Sequence, residues 1–310
     1  MMENVNNMTA AELKAFEKEQ RKVNKIPGLF QIIVREVWKD KFAMLCVFVI
    51  VAIVVTAFIW GAHFYNIPVR MNPRYANRPP SDFGGLGTGS GGRPILNDLV
   101  LGTRTSLTIA FSVSIGSALI GYTVGLISGF FGGFFDWVIM RSIEIITMIP
   151  TIMLLIVVMA AIPESGTFHM IMVMIAFGWF GTAGTFRARV LQESSKDYIS
   201  ASKTLGTPNW KIMVKKIIPN VSSFLMVGLV LGIAGSIGLE TGLTAIGHGL
   251  PFGTPSLGAM IAGAAADPTV LRMRPWQWVP AVVLVVVLTL AINGLGRAIT
   301  RAVNPRKRRS

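Results

Sequence analysis

The chain has 310 residues, of which 52% are apolar and 14% charged, and its mean hydropathy is +0.58. This balance is too apolar for an ordinary soluble domain and is typical of a protein that crosses a membrane several times. The formal net charge of +14 raises the alternative of a nucleic-acid-binding protein. The distribution of the basic residues along the chain argues against that alternative.

Residues 1–41 are polar and basic. We predict a charged helix over residues 10–23 and, after Pro27 and Gly28, an amphipathic helix over 29–39 that lies along the membrane surface. The plainer alternative is a short solvated tail with an amphipathic lead-in to the first span.

Six uncharged runs each reach the roughly 17–25 residues that a helix needs to cross the hydrocarbon core. Backbone polar groups find no water there, so we predict an all-α membrane protein with six transmembrane helices. The runs are 42–69, 105–135, 145–163, 165–186, 217–239 and 275–296. A further run, 241–266, is rich in Gly and Pro, and we interpret it as an irregular or partly re-entrant connection.

The predicted divisions of the chain follow from these runs. They are a cytoplasmic segment 1–41, a first transmembrane helix 42–64, an extracytoplasmic loop 65–104, a core of five transmembrane helices 105–302 and a basic tail 303–310. With both termini in the cytoplasm, 22 of the 29 Lys and Arg residues lie on the cytoplasmic side. That asymmetry fits the positive-inside rule, and two basic termini require an even number of spans.

No enzyme site, metal site or nucleotide site is predicted. The Gly-rich part of loop 65–104 lacks the Lys that follows a phosphate-binding loop. His63, His169 and His248 are scattered, so they do not indicate a metal site. No paired carboxylates or Ser/His/Asp set points to catalysis, and we expect no catalytic residue and no bound cofactor in this chain.

The segment 197–220 is the most informative part of the sequence, because it is basic and lies between two predicted spans. One predicted helical face has the spacing i, i+3, i+4, i+7 and consists of Tyr198, Ala201, Ser202 and Leu205. Gly206 is placed where a helix ends in the left-handed conformation. Thr207 then suits an N-cap, and Pro208 suits the first position of a second helix.

The second helix is predicted to repeat this spacing. Its apolar face would consist of Trp210, Met213, Val214 and Ile217, and its basic residues, Lys211, Lys215 and Lys216, would point away. We weighed a solvated loop, a DNA-reading helix–turn–helix and a docking element for a soluble cytoplasmic partner. The matched helix signals argue against the loop, and the short tether between two spans argues against DNA.

The residues of this segment resemble the "EAA" loop of the membrane permease subunits of ATP-binding-cassette importers, within them the dipeptide and oligopeptide permeases. The matching residues are Asp197, Tyr198, Ala201, Ser202, Gly206, Ile218 and Pro219. Ser200 replaces the acidic residue for which the loop is named.

Other matches cover almost the whole chain after residue 84. An outside segment is matched by Gly87, Thr88, Gly92, Arg93, Gly102, Arg104, Ser106 and Leu107, although Gly89 and Pro94 stand where the family usually has aspartates. Further matches are Met140, Arg141, Glu144 and Pro150; Glu240, Leu243, Gly247, Gly249, Pro255, Ser256 and Gly258; and Asn304, Pro305 and Arg306. Each is weak alone, but their common order makes the resemblance specific.

The resemblance implies a type I importer permease fold in the bacterial plasma membrane, with a coupling loop at 187–219. It implies a second, homologous permease subunit, two cytoplasmic ATPase subunits that bind ATP and Mg²⁺, and an extracytoplasmic peptide-binding protein. The coupling residues carried over are Asp197, Tyr198, Ser200, Ala201, Ser202, Leu205, Gly206 and Pro219. Alternatives are an importer of nickel or another small solute and, from a different class, a secondary transporter or channel.

Three charged residues are candidates for a substrate path or gate. Arg141 and Glu144 are three residues apart, so they can pair on one helical face, either as an anchor of the helix end or as part of a path. Glu240 lies near the predicted outer end of the fifth span. It is predicted to be structural or gating, to attract a peptide amino terminus, or to pair with Arg272 or Arg274.

Overall fold

The computed structural model describes residues 29–62, 72–83, 85–162, 166–251 and 253–303, with the side chains of 29–32 and 303 left out. The predictions for residues 10–23 and for Asn304, Pro305 and Arg306 lie outside the described residues. Within the described residues the fold is helical, with one isolated β-bridge between Thr88 and Pro94 and no strand.

Twelve helices are labelled here in chain order. They are α1 (Leu29–Lys39), α2 (Lys41–Val55), α3 (Ile95–Phe131), α4 (Gly133–Thr147), α5 (Thr151–Ala161), α6 (Thr167–Ser194), α7 (Asp197–Thr204), α8 (Asn209–Ile212), α9 (Ile218–Ala245), α10 (Leu257–Ala266), α11 (Pro268–Met273) and α12 (Val279–Val303). A π-turn extends α2 at Thr56–Trp60, and another, Met213–Ile217, joins α8 to α9. Single helical turns occur at Pro73–Tyr75, Pro80–Phe83 and Pro275–Gln277.

Five continuous helical stretches among the described residues are long and apolar enough to cross a membrane. They are Lys41–Trp60, Ile95–Phe131, Thr167–Ser194, Asn209–Ala245 and Val279–Ala302. The pair α4 and α5 passes the same test together but bends by 80° between its halves. The predicted bend at Pro150 is therefore confirmed, and proline, which lacks a backbone N–H, stands directly before α5.

Helices α3 and α6 run in the same direction along a seam of glycines. A Cβ atom at Gly121, Gly125 or Gly129 would collide with α6, near the backbone of Trp179, Ala183 and Arg187 respectively. Small residues four apart let two helical backbones approach closely in a membrane. Because α3 ends beside the end of α6, the chain between them must return across the bundle. The bent pair α4 and α5 therefore makes the sixth span.

Helix α9 runs antiparallel to α3 and is bonded to it. Ser114 Oγ donates to the carbonyl of Leu229 at 2.9 Å, and Tyr122 Oη donates to that of Leu225 at 2.9 Å. Helix α12 packs against α9 and α2. The predicted helix α1 is confirmed. Its Ile33 and Val37 are buried against Ala298 and Ile299 of α12, so these two members of its apolar stripe have a protein partner.

The helices extend beyond the predicted uncharged runs. Helix α3 begins at Ile95, so the predicted loop 65–104 contains its first ten residues, including Asp98 and Arg104. Charged residues end an apolar run but not a helix, because a helix can project beyond the hydrocarbon core. In the run 241–266, α9 continues to Ala245, and the ten-residue α10 is too short to span a bilayer, as predicted.

Candidate functional site

The connection between α6 and α9 forms two short helices that meet at Gly206. Gly206 has φ +72°, so the predicted left-handed end of the first helix is confirmed. The predicted start of the second helix was wrong by one residue. Pro208 is the N-cap of α8, and Asn209 is its first residue. Neither α7 nor α8 has a side-chain cap, so contacts with the rest of the protein hold them in place.

The buried side of this connection differs from the predicted faces. Ile199, Ser202, Ile212 and Ile217 are buried, whereas Trp210 and Val214 are exposed. These four buried side chains lie beneath the loop. The three isoleucines belong to an apolar cluster with Phe130, Phe186, Val190 and Val221. The π-turn Met213–Ile217 explains part of the error, because it changes which residues of α8 and α9 share a face.

Most of the predicted coupling residues lie on the outer surface of this connection. The exposed ones are Asp197, Tyr198, Ser200, Ala201, Leu205, Gly206 and Pro219. Ser202 is the exception: it is buried, and Lys216 Nζ donates to its Oγ. Leu205 is 83% exposed and Trp210 is 56% exposed, so two large apolar side chains stand out from a polar loop. We name the surface formed by α7, Leu205, Gly206 and Trp210 the α7 surface.

A polar network beneath the α7 surface joins α7 to the ends of α6 and α9. Its centre is Glu193, which is only 7% exposed. Lys196 Nζ lies 2.6 Å from Glu193 Oε2, and Tyr198 Oη donates to Glu193 Oε1. Asn220 Nδ2 in turn donates to Tyr198 Oη at 2.7 Å. We name Glu193, Lys196, Tyr198 and Asn220 the Glu193 network, and it fixes the start of α7 to two membrane-crossing helices.

Burial, reinforced by the hydrogen bond to Glu193, raises the pKa of Tyr198 above its usual range. The phenol therefore keeps its proton and remains a donor to Glu193 at neutral pH. Lys203 adds another contact, because its Nζ lies 4.8 Å from the ring centroid of Phe130 on α3. Three membrane-crossing helices, α3, α6 and α9, thus contact α7.

Sequence reasoning missed Glu193, Asn220 and a second ion pair at the same end of the bundle. Arg187 of α6 donates twice to Asp136 of α4, from Nε to Oδ1 and from Nη2 to Oδ2, each at 2.5 Å. These residues are 51 positions apart, so no local spacing in the sequence predicts the contact. The i, i+3 spacing of Glu193 and Lys196 is the one sequence signal that was available.

Arg141 and Glu144 form the ion pair that their spacing predicts. Arg141 Nη1 lies 3.2 Å from Glu144 Oε2, and both side chains are more than half exposed. Both residues therefore lie on an exposed part of α4. The geometry leaves both predicted roles, helix anchor and path residue, open.

Glu240 is fully buried, and the described residues provide it with hydroxyl partners. Ser106 Oγ donates to it at 2.9 Å, and Thr241 and Thr244 donate at 3.3 Å. Ser106 Oγ also accepts the backbone N–H of Leu257 at 3.3 Å. The predicted pairing with Arg272 or Arg274 was therefore wrong: no ion-pair partner of Glu240 occurs in the described part of the chain. We name this set, which ties α3, α9 and α10 together, the Glu240 network.

The two networks lie at opposite ends of the bundle. The side chain of Glu240 is fully buried, whereas the α7 surface is exposed and carries two large apolar side chains, Leu205 and Trp210, among polar ones. No group of three or more His, Cys, Asp or Glu that could hold a metal ion occurs in the described ranges. The described contacts therefore connect the exposed α7 surface to the membrane-crossing helices α6 and α9.

Comparison with known proteins gives a consistent picture. Residues 121–309 match the family described as "Binding-protein-dependent transport system inner membrane component". The chain is 38% identical to an oligopeptide transport system permease protein of Lactococcus lactis subsp. lactis (strain IL1403) over 283 residues, which cover 90% of this chain and 96% of that protein.

Two further relatives are similar over most of the chain. An oligopeptide transport system permease protein of Bacillus subtilis (strain 168) is 30% identical over 88% of this chain and 90% of its own length. A dipeptide transport system permease protein of Lactococcus lactis subsp. cremoris (strain MG1363) is 35% identical over 74% of this chain and 65% of its own length.

Proposed function

The chain belongs to the family of inner membrane components of binding-protein-dependent transport systems, and we propose that it carries dipeptides or oligopeptides across the membrane. The proposal for the substrate is supported by relatives that are named as oligopeptide and dipeptide permeases. Family membership also argues against the alternative of a self-sufficient secondary transporter. None of the contacts described above favours nickel or another small ion as the substrate.

The partners follow from the same proposal. A second, homologous permease subunit completes the pathway, an extracytoplasmic protein delivers the peptide, and two cytoplasmic ATPase subunits bind ATP and Mg²⁺ and hydrolyse the ATP. The chain itself has no catalytic role. Both of its termini and the α7 surface lie in the cytoplasm, as the excess of Lys and Arg on that side indicates.

The observation that carries the coupling role is the pair of exposed apolar side chains, Leu205 and Trp210, on the α7 surface. Leu205, at 83% exposure, would contribute little to the stability of the isolated subunit. A large apolar side chain in such a position is typical of a protein interface, where burial by a partner is favourable. Ala201 is small and exposed one turn before it, which lets a groove of the ATPase approach the helix closely.

The Glu193 network explains how docking would be transmitted. A force on α7 acts on Tyr198, and Tyr198 is bonded to Glu193 of α6 and to Asn220 of α9. When ATP binding brings the two ATPase subunits together, α7 moves with its ATPase and carries the ends of both spans. The tilt of these helices then changes which side of the membrane the pathway faces.

The test is a charge placed on the α7 surface. We expect Ala201→Glu to prevent the ATPase from copurifying with the permease and to abolish peptide uptake into proteoliposomes, because an unpaired carboxylate would be buried at the interface. Thr300→Glu is the matched control, since it adds the same charge at an exposed position of α12 outside the coupling loop. It should leave both measurements unchanged.

The result that would contradict the coupling role is normal ATPase copurification and normal peptide-driven ATP hydrolysis in the Ala201→Glu transporter. Proteolysis of membranes that contain the variant would show whether it is inserted normally. A variant that is inserted normally yet separated from the ATPase supports the α7 surface as the docking site.

A further inference from the structure

Helix α1 has an exposed apolar face beside the face that packs on the protein. Each residue of an α-helix turns by about 100°, so residues four apart lie on one side of it. Ile33 and Val37 are buried against α12. The neighbouring pair, Val34 and Trp38, is exposed, and Trp38 is 69% exposed. The described part of this chain therefore leaves a large aromatic side chain of α1 uncovered.

This exposed face continues onto the first membrane-crossing helix. Asp40 separates α1 from α2, and its extended backbone, with φ −90° and ψ 106°, interrupts the helical geometry. Directly after it, Phe42 and Leu45 are more than half exposed, and Phe48 is 71% exposed. Helix α2 is apolar enough to cross a membrane, and most of it is exposed. Trp38 thus precedes by four residues the start of an apolar surface that faces lipid.

The corner between α1 and α2 is held in place by α12. Asp40 Oδ1 accepts the backbone N–H of Phe42 at 3.0 Å and so caps α2. Arg301 Nη2 of α12 lies 2.7 Å from Asp40 Oδ2. Ile33 of α1 and Ala43 of α2 belong to one apolar cluster with the end of α12. The corner is therefore fixed at the first residues of a membrane-crossing helix, where the lipid headgroups lie.

Basic side chains flank the exposed apolar face. Arg35 is three residues before Trp38 and is exposed, as is Lys41 at the start of α2. Lys39 Nζ lies 3.6 Å from Glu36 Oε1, so a carboxylate partly compensates its charge. No ion pair of Arg35 or Lys41 occurs among the residues that the structure describes. These two cations stand beside a tryptophan at the start of a span.

We propose that α1 binds anionic phospholipid, with Trp38 inserted between headgroups and acyl chains and with Arg35 and Lys41 paired with lipid phosphates. Tryptophan is favoured at this boundary because its ring is apolar and its indole N–H is polar. Arginine and lysine bind phosphate and are attracted to anionic headgroups. Lipid fits this face better than a soluble partner does, because the face is continuous with the exposed surface of α2. The inference does not depend on the proposed substrate.

Quenching by brominated lipids tests the position of this face in the complete transporter. A bimane label is attached at Trp38→Cys in a Cys46→Ser background, with Phe48→Cys as the membrane control and Ser81→Cys as the water control. Brominated phosphatidylcholine should quench the label at position 38 at least about half as strongly as at position 48, because an interfacial helix buries its apolar face in the bilayer. Quenching at position 81 should be negligible. Val34→Cys repeats the test on the same face.

The same label tests the choice of headgroup. Brominated phosphatidylglycerol, mixed into phosphatidylcholine, should quench position 38 at a lower mole fraction than brominated phosphatidylcholine does. Arg35→Gln and Lys41→Gln should each raise that mole fraction about fivefold, since one basic residue near an anionic surface contributes about 1 kcal/mol of attraction. Arg272→Gln is the matched control, because it removes an exposed arginine of α11, and it should change nothing.

The remaining outcomes overturn the proposal. Quenching at position 38 as weak as at position 81 would show that lipid does not reach this face. A blue-shifted emission in that case would assign the face to the companion subunit or to an ATPase. Equal quenching by the two brominated lipids, or an unchanged response in Arg35→Gln and Lys41→Gln, would refute the recognition of anionic headgroups.

Discussion

The two ends of the bundle each bury a glutamate, but they surround it differently. Glu240 is fully buried among the hydroxyls of Ser106, Thr241 and Thr244. Glu193 has a lysine, a tyrosine and, through the tyrosine, an asparagine, and all three of these residues are exposed at the surface. The first arrangement encloses its carboxylate entirely within the protein. The second connects the other end to a surface that a partner can move.

Removing the acid of the Glu240 network should have the largest effect on stability. In Glu240→Ala, the hydroxyls of Ser106 and Thr244 lose their acceptor and a cavity remains, at a cost of about 2–4 kcal/mol. The thermal melting temperature of the purified subunit assembly measures this loss. Glu240→Gln keeps the shape and one carbonyl acceptor, so it should lose much less. Equal melting temperatures for Glu240→Ala and wild type would refute the structural role of the network.

Breaking the ion pair between α4 and α6 should have the next largest effect on stability. Asp136→Asn removes the charge from a two-point bond to Arg187, which is partly buried, and we expect a cost of about 1–3 kcal/mol. A melting curve of the same assembly provides the measurement. Asp136→Glu keeps the charge and should recover part of the loss. If Asp136→Asn and Asp136→Glu melt alike, charge is not what holds α4 in place.

Substituting Tyr198 should reduce the coupling of ATP hydrolysis to peptide uptake more than it reduces the stability of the protein. Tyr198→Phe keeps the ring but removes the bonds to Glu193 and Asn220, which weakens the attachment of α7 by about 1 kcal/mol, or roughly fivefold in population. We expect peptide uptake per ATP hydrolysed to fall by about that factor, with the ATPase still bound. Asn220→Ala should give a smaller fall in the same ratio. An unchanged ratio in Tyr198→Phe would contradict the role of the network in transmission.

The pH dependence of this contact has a definite sign. The raised pKa of Tyr198 means that its contribution is complete below the ordinary tyrosine pKa and disappears only as pH rises through the higher folded-state value. Between about pH 7 and 9, the contact should therefore be constant. Uptake per ATP in wild type and in Tyr198→Phe, measured across this range, should keep the same ratio.

The exposed pair on α4 should have the smallest effect. Arg141 and Glu144 are both more than half exposed, and such i, i+3 pairs contribute about 0.2–0.5 kcal/mol. A double-mutant cycle with Arg141→Ala and Glu144→Ala should give a coupling energy in melting experiments no larger than that. A loss of transport in either variant without a change in melting would favour the path role over the anchor role.

Local signals were enough to predict much of the fold. Uncharged runs located the spans, Pro150 located the bend, and Gly206 located the turn between α7 and α8. The faces of α7 and α8 were predicted incorrectly, because spacing alone assumed regular helices and the isoleucines at 199 and 212 are buried by residues of other helices. Long-range partners such as Asp136 with Arg187, or Ser106 with Glu240, depend on which helices meet, and no periodicity encodes that.

The π-turn Met213–Ile217 has a consequence for alignment and engineering. A turn closed by i→i+5 bonds holds one residue more than a regular turn, and each residue of an α-helix rotates by about 100°. Because the wide turn absorbs this extra residue, deleting one residue here, such as the exposed Val214, would restore regular geometry and leave the faces of α8 and α9 as they are. Ile212 would then stay in the apolar cluster under the loop. A relative that lacks this residue can have the same side of α8 inward, so its residues match these only when a one-residue gap is placed within 213–217.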